Sequence, residues 1–180
     1  GAQVLGVVSD ASGQWTVSRW RAPEFSAERQ PALVDWDAVK LTSASGGGIV
    51  GHGTHGADGP QQRGWLLAAD KLTLLPGLDN SKHLAASVVN SHGDVAVGMT
   101  WSGARTFRAA TVSDLQVVRW TRGVVTEIPQ LKGRGYNWTV TDMSDDGQII
   151  VGERWPVGTS PLRATDDFRL GYRWEDGALT

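Results

Sequence analysis

At 180 residues, with 40% hydrophobic and 20% charged residues and a net charge of −2, the chain has the size and composition of one ordinary globular domain. The small charge and the scattered Lys and Arg residues argue against a nucleic-acid partner, and zero cysteines exclude a disulfide framework, thiol catalysis and thiolate metal sites. No run approaches the roughly 18 apolar residues that a spanning helix needs, and the N-terminus shows no charged-then-apolar signal segment.

The 23 glycines point away from a helical protein, because glycine inside a helix costs about 1 kcal/mol against alanine. No window of helical length carries apolar residues at three-and-four spacing, whereas alternating or β-branched runs of four to seven residues keep returning. The expected class is all-β.

In chain order, Gly1-Ala2-Gln3-Val4-Leu5-Gly6 is half of a unit that returns complete three times. Thr42 to Gly51, Val89 to Gly98 and Met143 to Gly152 each hold a polar turn with glycine, then a short strand closing in Val-Gly. The closing glycines Gly6, Gly51, Gly98 and Gly152 lie 45, 47 and 54 residues apart, the period of a propeller blade of four antiparallel strands. A tryptophan runs in phase with them. Trp20 and Trp65 each lie 14 residues after their glycine, and Trp120 and Trp174 each lie 22 after theirs. The last two repeats align without a gap, Trp101 falling on Trp155 and Arg119-Trp120 on Arg173-Trp174, which marks a duplication.

Within the third repeat, four strands are expected: Asp94 to Thr100, Val117 to Thr121, Val124 to Ile128 after an Arg122-Gly123 turn, and Trp138 to Met143. Leu75-Pro76 and Ile128-Pro129 should end their strands, since proline has no N–H for a ladder. By the internal alignment Thr180 matches Thr126 and Gly1 matches Gly147, so the chain is expected to start and stop inside a repeat. It reads as an array of about four blades over residues 1–180, either a segment of a larger propeller or a small ring with a defective blade. The first is preferred, and open strand edges would then favour self-association or pairing with the rest of a longer chain.

The pattern of Ser or Asn, a glycine three residues on, then Val-Gly, and later Arg-Trp and Leu-Pro, resembles the bacterial extracellular HAF-type repeats across most of the chain. The His-Ala-Phe signature itself is absent: Gln62-Arg63-Gly64-Trp65 and Tyr172-Arg173-Trp174 stand in its place. The resemblance implies a β-propeller-like protein that is secreted, periplasmic or displayed at the surface, and it assigns no catalytic residue.

Side chains recurring once per unit, Trp20, Trp65, Trp120 and Trp174, are expected to pack between blades. Trp101 and Trp155 share one register and Trp15 and Trp36 fit none. These four are the candidate ligand-binding residues, as exposed indoles able to stack on a sugar or anchor a protein, with packing under the loops as the competing role. The leading functional expectation is therefore a non-enzymatic module for a glycan, polymer or protein partner, with no cofactor.

The competing expectation is a hydrolase. Gly51-His52-Gly53-Thr54-His55-Gly56 and Gly158-Thr159-Ser160 resemble the histidine and nucleophile signatures of subtilisin-like serine proteases, with Asp10 to orient His52 and Ser160 to attack. Their setting after Val-Gly strands is not the helix starts those enzymes use. His52, His55 and Asp58 also have metal-like spacing, but a glycine-rich loop does not converge ligands as a helix face does. Asp145-Asp146-Gly147 reads as turn chemistry rather than a calcium loop, and His83 and His92 have no evident partner in the sequence.

Overall fold

A computed structural model describes residues 3–21, 26–33, 36–55, 61–79, 81–102, 115–132, 135–157 and 169–180. Among these the secondary structure consists of strands and turns, without a helix. The first sheet contains β1 (Gln3–Ser9), β2 (Trp15–Arg21) and β3 (Ser26–Leu33). The second contains β4 (Trp36–Ser45), β5 (Gly48–His55), β6 (Gln62–Ala68) and β7 (Lys71–Leu74). The third contains β8 (His83–Val89), β9 (Val95–Trp101), β10 (Gln116–Thr121) and β11 (Val124–Lys132). The fourth contains β12 (Tyr136–Met143), β13 (Ile149–Pro156), β14 (Leu170–Glu175) and β15 (Ala178–Leu179). Every sheet is an antiparallel meander of sequence neighbours, so the fold is the expected all-β, propeller-type array.

The repeat period is as read from the sequence, but its phase is shifted. Trp138 to Met143 does not close the third sheet: β12 pairs with β13 through the tight turn at residues 144–148 and opens the fourth. By the same register β1, which carries Gly6, is the counterpart of β5, β9 and β13. Among the described residues the first sheet has no counterpart of β4, β8 and β12.

The closing glycine has a physical cause. Opposite it, each first strand carries a β-bulge: the register skips Thr42, Ser87 and Thr141, beside Gly51, Gly98 and Gly152 respectively. The bulge pushes a carbonyl towards the glycine, so a Cβ at Gly51, Gly98 or Gly152 would collide with the carbonyl oxygen of Lys40, Ala85 or Thr139.

Each inner sheet is covered on both faces, which explains β-branched pairs that do not alternate with polar residues. Ile49 joins the core facing the first sheet and Val50 the core facing the third. Ala96 and Val97 split in the same way between the second and fourth sheets, as do Val118 and Val117. The phased tryptophans Trp65, Trp120 and Trp174 are 0%, 1% and 7% exposed, each in the core shared with the preceding sheet. Trp20 is half-buried.

The glycine turns also meet between sheets. Gly47 lies against the backbone of Ser91 to Gly93, and the Ser45 hydroxyl donates to the Asn90 carbonyl. One step on, Asp145 accepts from the Ser91 N–H at 2.7 Å and the Ser91 hydroxyl at 2.8 Å, and Arg119 donates to the Gly147 carbonyl at 3.2 Å. Those Ser91 bonds hold the Asp145 carboxyl below the usual carboxylate range. The acidic turn thus stacks one sheet on the next. His92, without an evident partner in the sequence, lies 3.3 Å from Asp145.

One strand end departs from expectation. β7 stops before Leu75-Pro76, but β11 runs past Ile128-Pro129 to Lys132. It is the outer edge strand, where a missing N–H is tolerated. The register jumps from Val118↔Glu127 to Gln116↔Lys132, so residues 128–131 bulge out and the strand then rejoins.

Candidate functional site

That bulge builds a cleft. Ile128 and Leu131 turn into the core facing the fourth sheet, while Lys132 returns opposite Gln116. Its ammonium lies 2.7 Å from the Glu127 carboxylate on the near side of the bulge. One row of paired residues then crosses the third sheet: Leu84, Thr100, Gln116 and Lys132. Leu84 is in the core, and the other three line a cleft of about 300 Å³. Trp101, Asp79, Ser81 and Ser102 complete much of its wall.

The floor of this cleft carries an electrostatic debt. Thr100 is 1% exposed, and among the described residues neither its Oγ1 nor the buried Oε1 of Gln116 has a hydrogen-bond partner. Buried polar groups are paired in the great majority of cases, so two unpaired ones side by side across a strand pair mark a place arranged for something else.

Trp101 borders the cleft but does not serve as an exposed platform. It is 2% exposed, and its ring stacks on His83 at 5.4 Å with 10° between planes. The His83 Nδ1 accepts the Gln62 N–H at 3.2 Å, so its imidazole too has partners the sequence did not reveal. Burial foremost, then the Lys82 and Arg63 charges, lowers its pKa below 6.5.

The other candidate indoles are also largely covered. Trp36 and Trp155 are each 6% exposed, and half-buried Trp15 packs with Trp36 in the core between the first two sheets. The expectation of exposed indoles is therefore corrected at Trp36, Trp101 and Trp155: all three rings are buried, Trp36 in the core between the first two sheets and Trp101 against His83.

For the hydrolase reading, Asp10 and His52 stand in different sheets' segments. Asp10 lies in the turn after β1, where its Oδ1 accepts from the Ser12 N–H at 2.8 Å, the Ser12 hydroxyl at 2.6 Å and the Gln14 N–H at 3.0 Å. This is a carboxylate closing its own turn. His52 is in mid-strand in β5, opposite Lys40 and Gly64. Ser160 lies outside the described residues, as does Asp58 of the metal reading, and His55 is described only as the last residue of β5. Among the described residues no three His, Asp or Glu side chains gather in a way that could hold a metal.

The residues the sequence reading missed are Thr100, Gln116, Glu127 and Lys132. One signal was available: a proline inside a strand pattern marks an edge bulge as well as an end, and the bulge is what brings Lys132 to Gln116.

Four antiparallel meanders packed face to face define a β-propeller-type module. Solved structures agree: the chain is similar to the β-propeller domain of the Trilobed protease from Pyrococcus furiosus, a domain with an open velcro topology, at 10% identity and a TM-score of 0.59, over 99% of this chain and 47% of that one. It is similar also to TolB from Acinetobacter baumannii, at 13% identity and a TM-score of 0.52, over 99% of this chain and 42% of that one. The chain thus spans less than half the length of either structure. No protein-family model and no curated protein matches it.

Proposed function

We propose that the chain is a non-enzymatic propeller module, of the extracellular HAF-repeat kind, that binds a glycan through the cleft on its third sheet. The observation that carries this reading is the cleft's lining: hydroxyls, an amide and carboxylates around a floor with two buried, unpaired polar atoms. Polar groups converging in a concave site are what fix a ligand's orientation. A secreted, periplasmic or surface location goes with the repeat resemblance.

Truncating Trp101 or Trp155 is a poor test, because emptying a buried indole site costs about 3–5 kcal/mol of stability on its own. Rim changes are cleaner. Affinity electrophoresis of the chain against a panel of soluble neutral and acidic polysaccharides should show retardation by at least one. Asp79→Ala and Lys132→Ala should reduce it without lowering the melting temperature appreciably. No retardation by any polysaccharide, or retardation indifferent to both rim changes, would overturn the glycan reading. A protein partner blocked by the same two changes would instead replace the glycan as occupant.

A further inference from the structure

We infer that Thr100 and Gln116 form the seat for a single hydroxyl of a neutral sugar, an inference that rests on reading the cleft as the ligand site. The two residues face each other across β9 and β10. Thr100 Oγ1 and Gln116 Oε1 are both buried, and among the described residues both lack a partner. A threonine hydroxyl gives one hydrogen bond and an amide oxygen only takes. The hydroxyl can also take, but a group that uses the Thr100 proton and the Gln116 lone pair at once must take from the first and give to the second.

That requirement selects among ligand chemistries. A carboxylate or phosphate oxygen only takes, and would set its lone pairs against the Gln116 oxygen. An ammonium or a peptide N–H only gives, and would leave the Thr100 proton unused. A hydroxyl does both. The charged pair beside the seat is balanced in charge, the Lys132 ammonium lying 2.7 Å from the Glu127 carboxylate. Asp79, Ser81 and Ser102 add acceptors and hydroxyls around the same space of about 300 Å³, the low end of ligand-sized cavities. A dense set of ligand hydroxyls, as on one sugar ring, matches that spacing of groups better than a lone side-chain hydroxyl.

The pair is not demanded by the repeat. The same register positions hold Gly53 and Arg63 in the second sheet, and Arg154 and Leu170 in the fourth. Val8 and Thr16 occupy them in the first. What is particular to the third sheet is therefore its polar, uncharged floor.

The test is a ¹H–¹⁵N NMR titration with the methyl glycosides of glucose, galactose and mannose, and with glucuronate as acidic counterpart. At least one neutral glycoside should move the Gln116 side-chain amide signals in a saturable way. Thr100→Val and Gln116→Leu should each weaken that binding by about tenfold, the worth of one hydrogen bond. Unliganded, both variants should melt at or above the parent temperature, since each removes a buried polar atom that has no partner. That last readout separates a binding seat from a structural role, which would be lost on the same substitutions.

If glucuronate alone binds the cleft and Thr100→Val leaves it unchanged, the hydroxyl seat is wrong while the cleft remains a glycan site. If no probe moves any cleft signal, the two polar atoms serve only a trapped water, and both the seat and the glycan reading fall.

Discussion

The indole Nε1 of Trp120 donates a 2.8 Å hydrogen bond to the carbonyl oxygen of Pro76, just past the last strand of the preceding sheet. Trp174 repeats the contact one sheet later, its Nε1 lying 3.4 Å from Oε1 of Gln130. Both acceptors sit 44 residues back in the chain, the first on the proline of Leu75-Pro76 and the second on the residue just after Ile128-Pro129. The phased tryptophan and the phased proline therefore work as one device: proline turns the outer strand away, and the next sheet's indole takes up a polar group exposed there. Nearest-neighbour contacts of this kind are how a repeat array accumulates stability.

Trp120→Phe keeps most of the buried ring and removes only the donor. Pro76 is exposed enough for water to replace it, so the expected loss is about 1 kcal/mol by urea unfolding. Trp120→Ala, which also empties the site in the core, should cost about 3–5 kcal/mol. Equal losses for the two variants would show that the hydrogen bond, and not the packing, dominates.

A second prediction concerns the bulge and its glycine. Gly98→Ala would drive a methyl group into the Ala85 carbonyl and the Ala86 backbone, with no flexible side chain to yield. It should cost about 2–3 kcal/mol or prevent folding. Gly171→Ala meets nothing within 4 Å and should stay within about 0.5 kcal/mol of the parent. Similar melting temperatures for the two variants would remove the bulge as the reason for the closing glycine.

The sequence disclosed the period, the strands and the phased tryptophans, because these recur and a single cause acts at every copy. Val95–Trp101 and Gln116–Thr121 lie within a residue or so of their expected limits at each end. The sheet boundary was less legible. Trp138 to Met143 looks equally suited to ending one unit or opening the next, and only pairing with Ile149–Pro156 decides. The cleft was least legible, for the opposite reason to the period. Thr100 and Gln116 are sixteen positions apart and meet through one register, while Lys132 joins them through a bulge whose counterpart in the first sheet, between Thr16 and Ser18, sets Ala32 in that place instead. The tryptophans drew attention to ring chemistry, yet at Trp101 one face is already spent on His83.

Asp10 should be structural. Asp10→Ala removes the acceptor for Ser12 and Gln14 in the turn after β1, and a loss of about 1 kcal/mol is expected. A fluorophosphonate probe of nucleophilic serines should label neither the parent nor the variant. Labelling of Ser160 in the parent that disappears in Asp10→Ala, with stability unchanged, would restore the hydrolase.

His83 sets a pH dependence whose sign follows from its position. Burial and the neighbouring Lys82 and Arg63 charges lower its folded pKa below the ordinary 6.5, so between those two values the unfolded chain holds the extra proton. The contribution is therefore complete above 6.5 and is lost as pH falls through 6.5 towards the folded value. Protonation also ends the role of Nδ1 as acceptor for the Gln62 N–H, the contact that ties β8 to β6. His83→Phe keeps a flat ring against Trp101 while deleting both the acceptor and the titration. Urea midpoints measured from above to below 6.5 should fall more steeply for the parent than for this variant. The remaining histidines are common to both proteins and cancel in the comparison. Parallel curves would mean that His83 is not held neutral by its place between the second and third sheets.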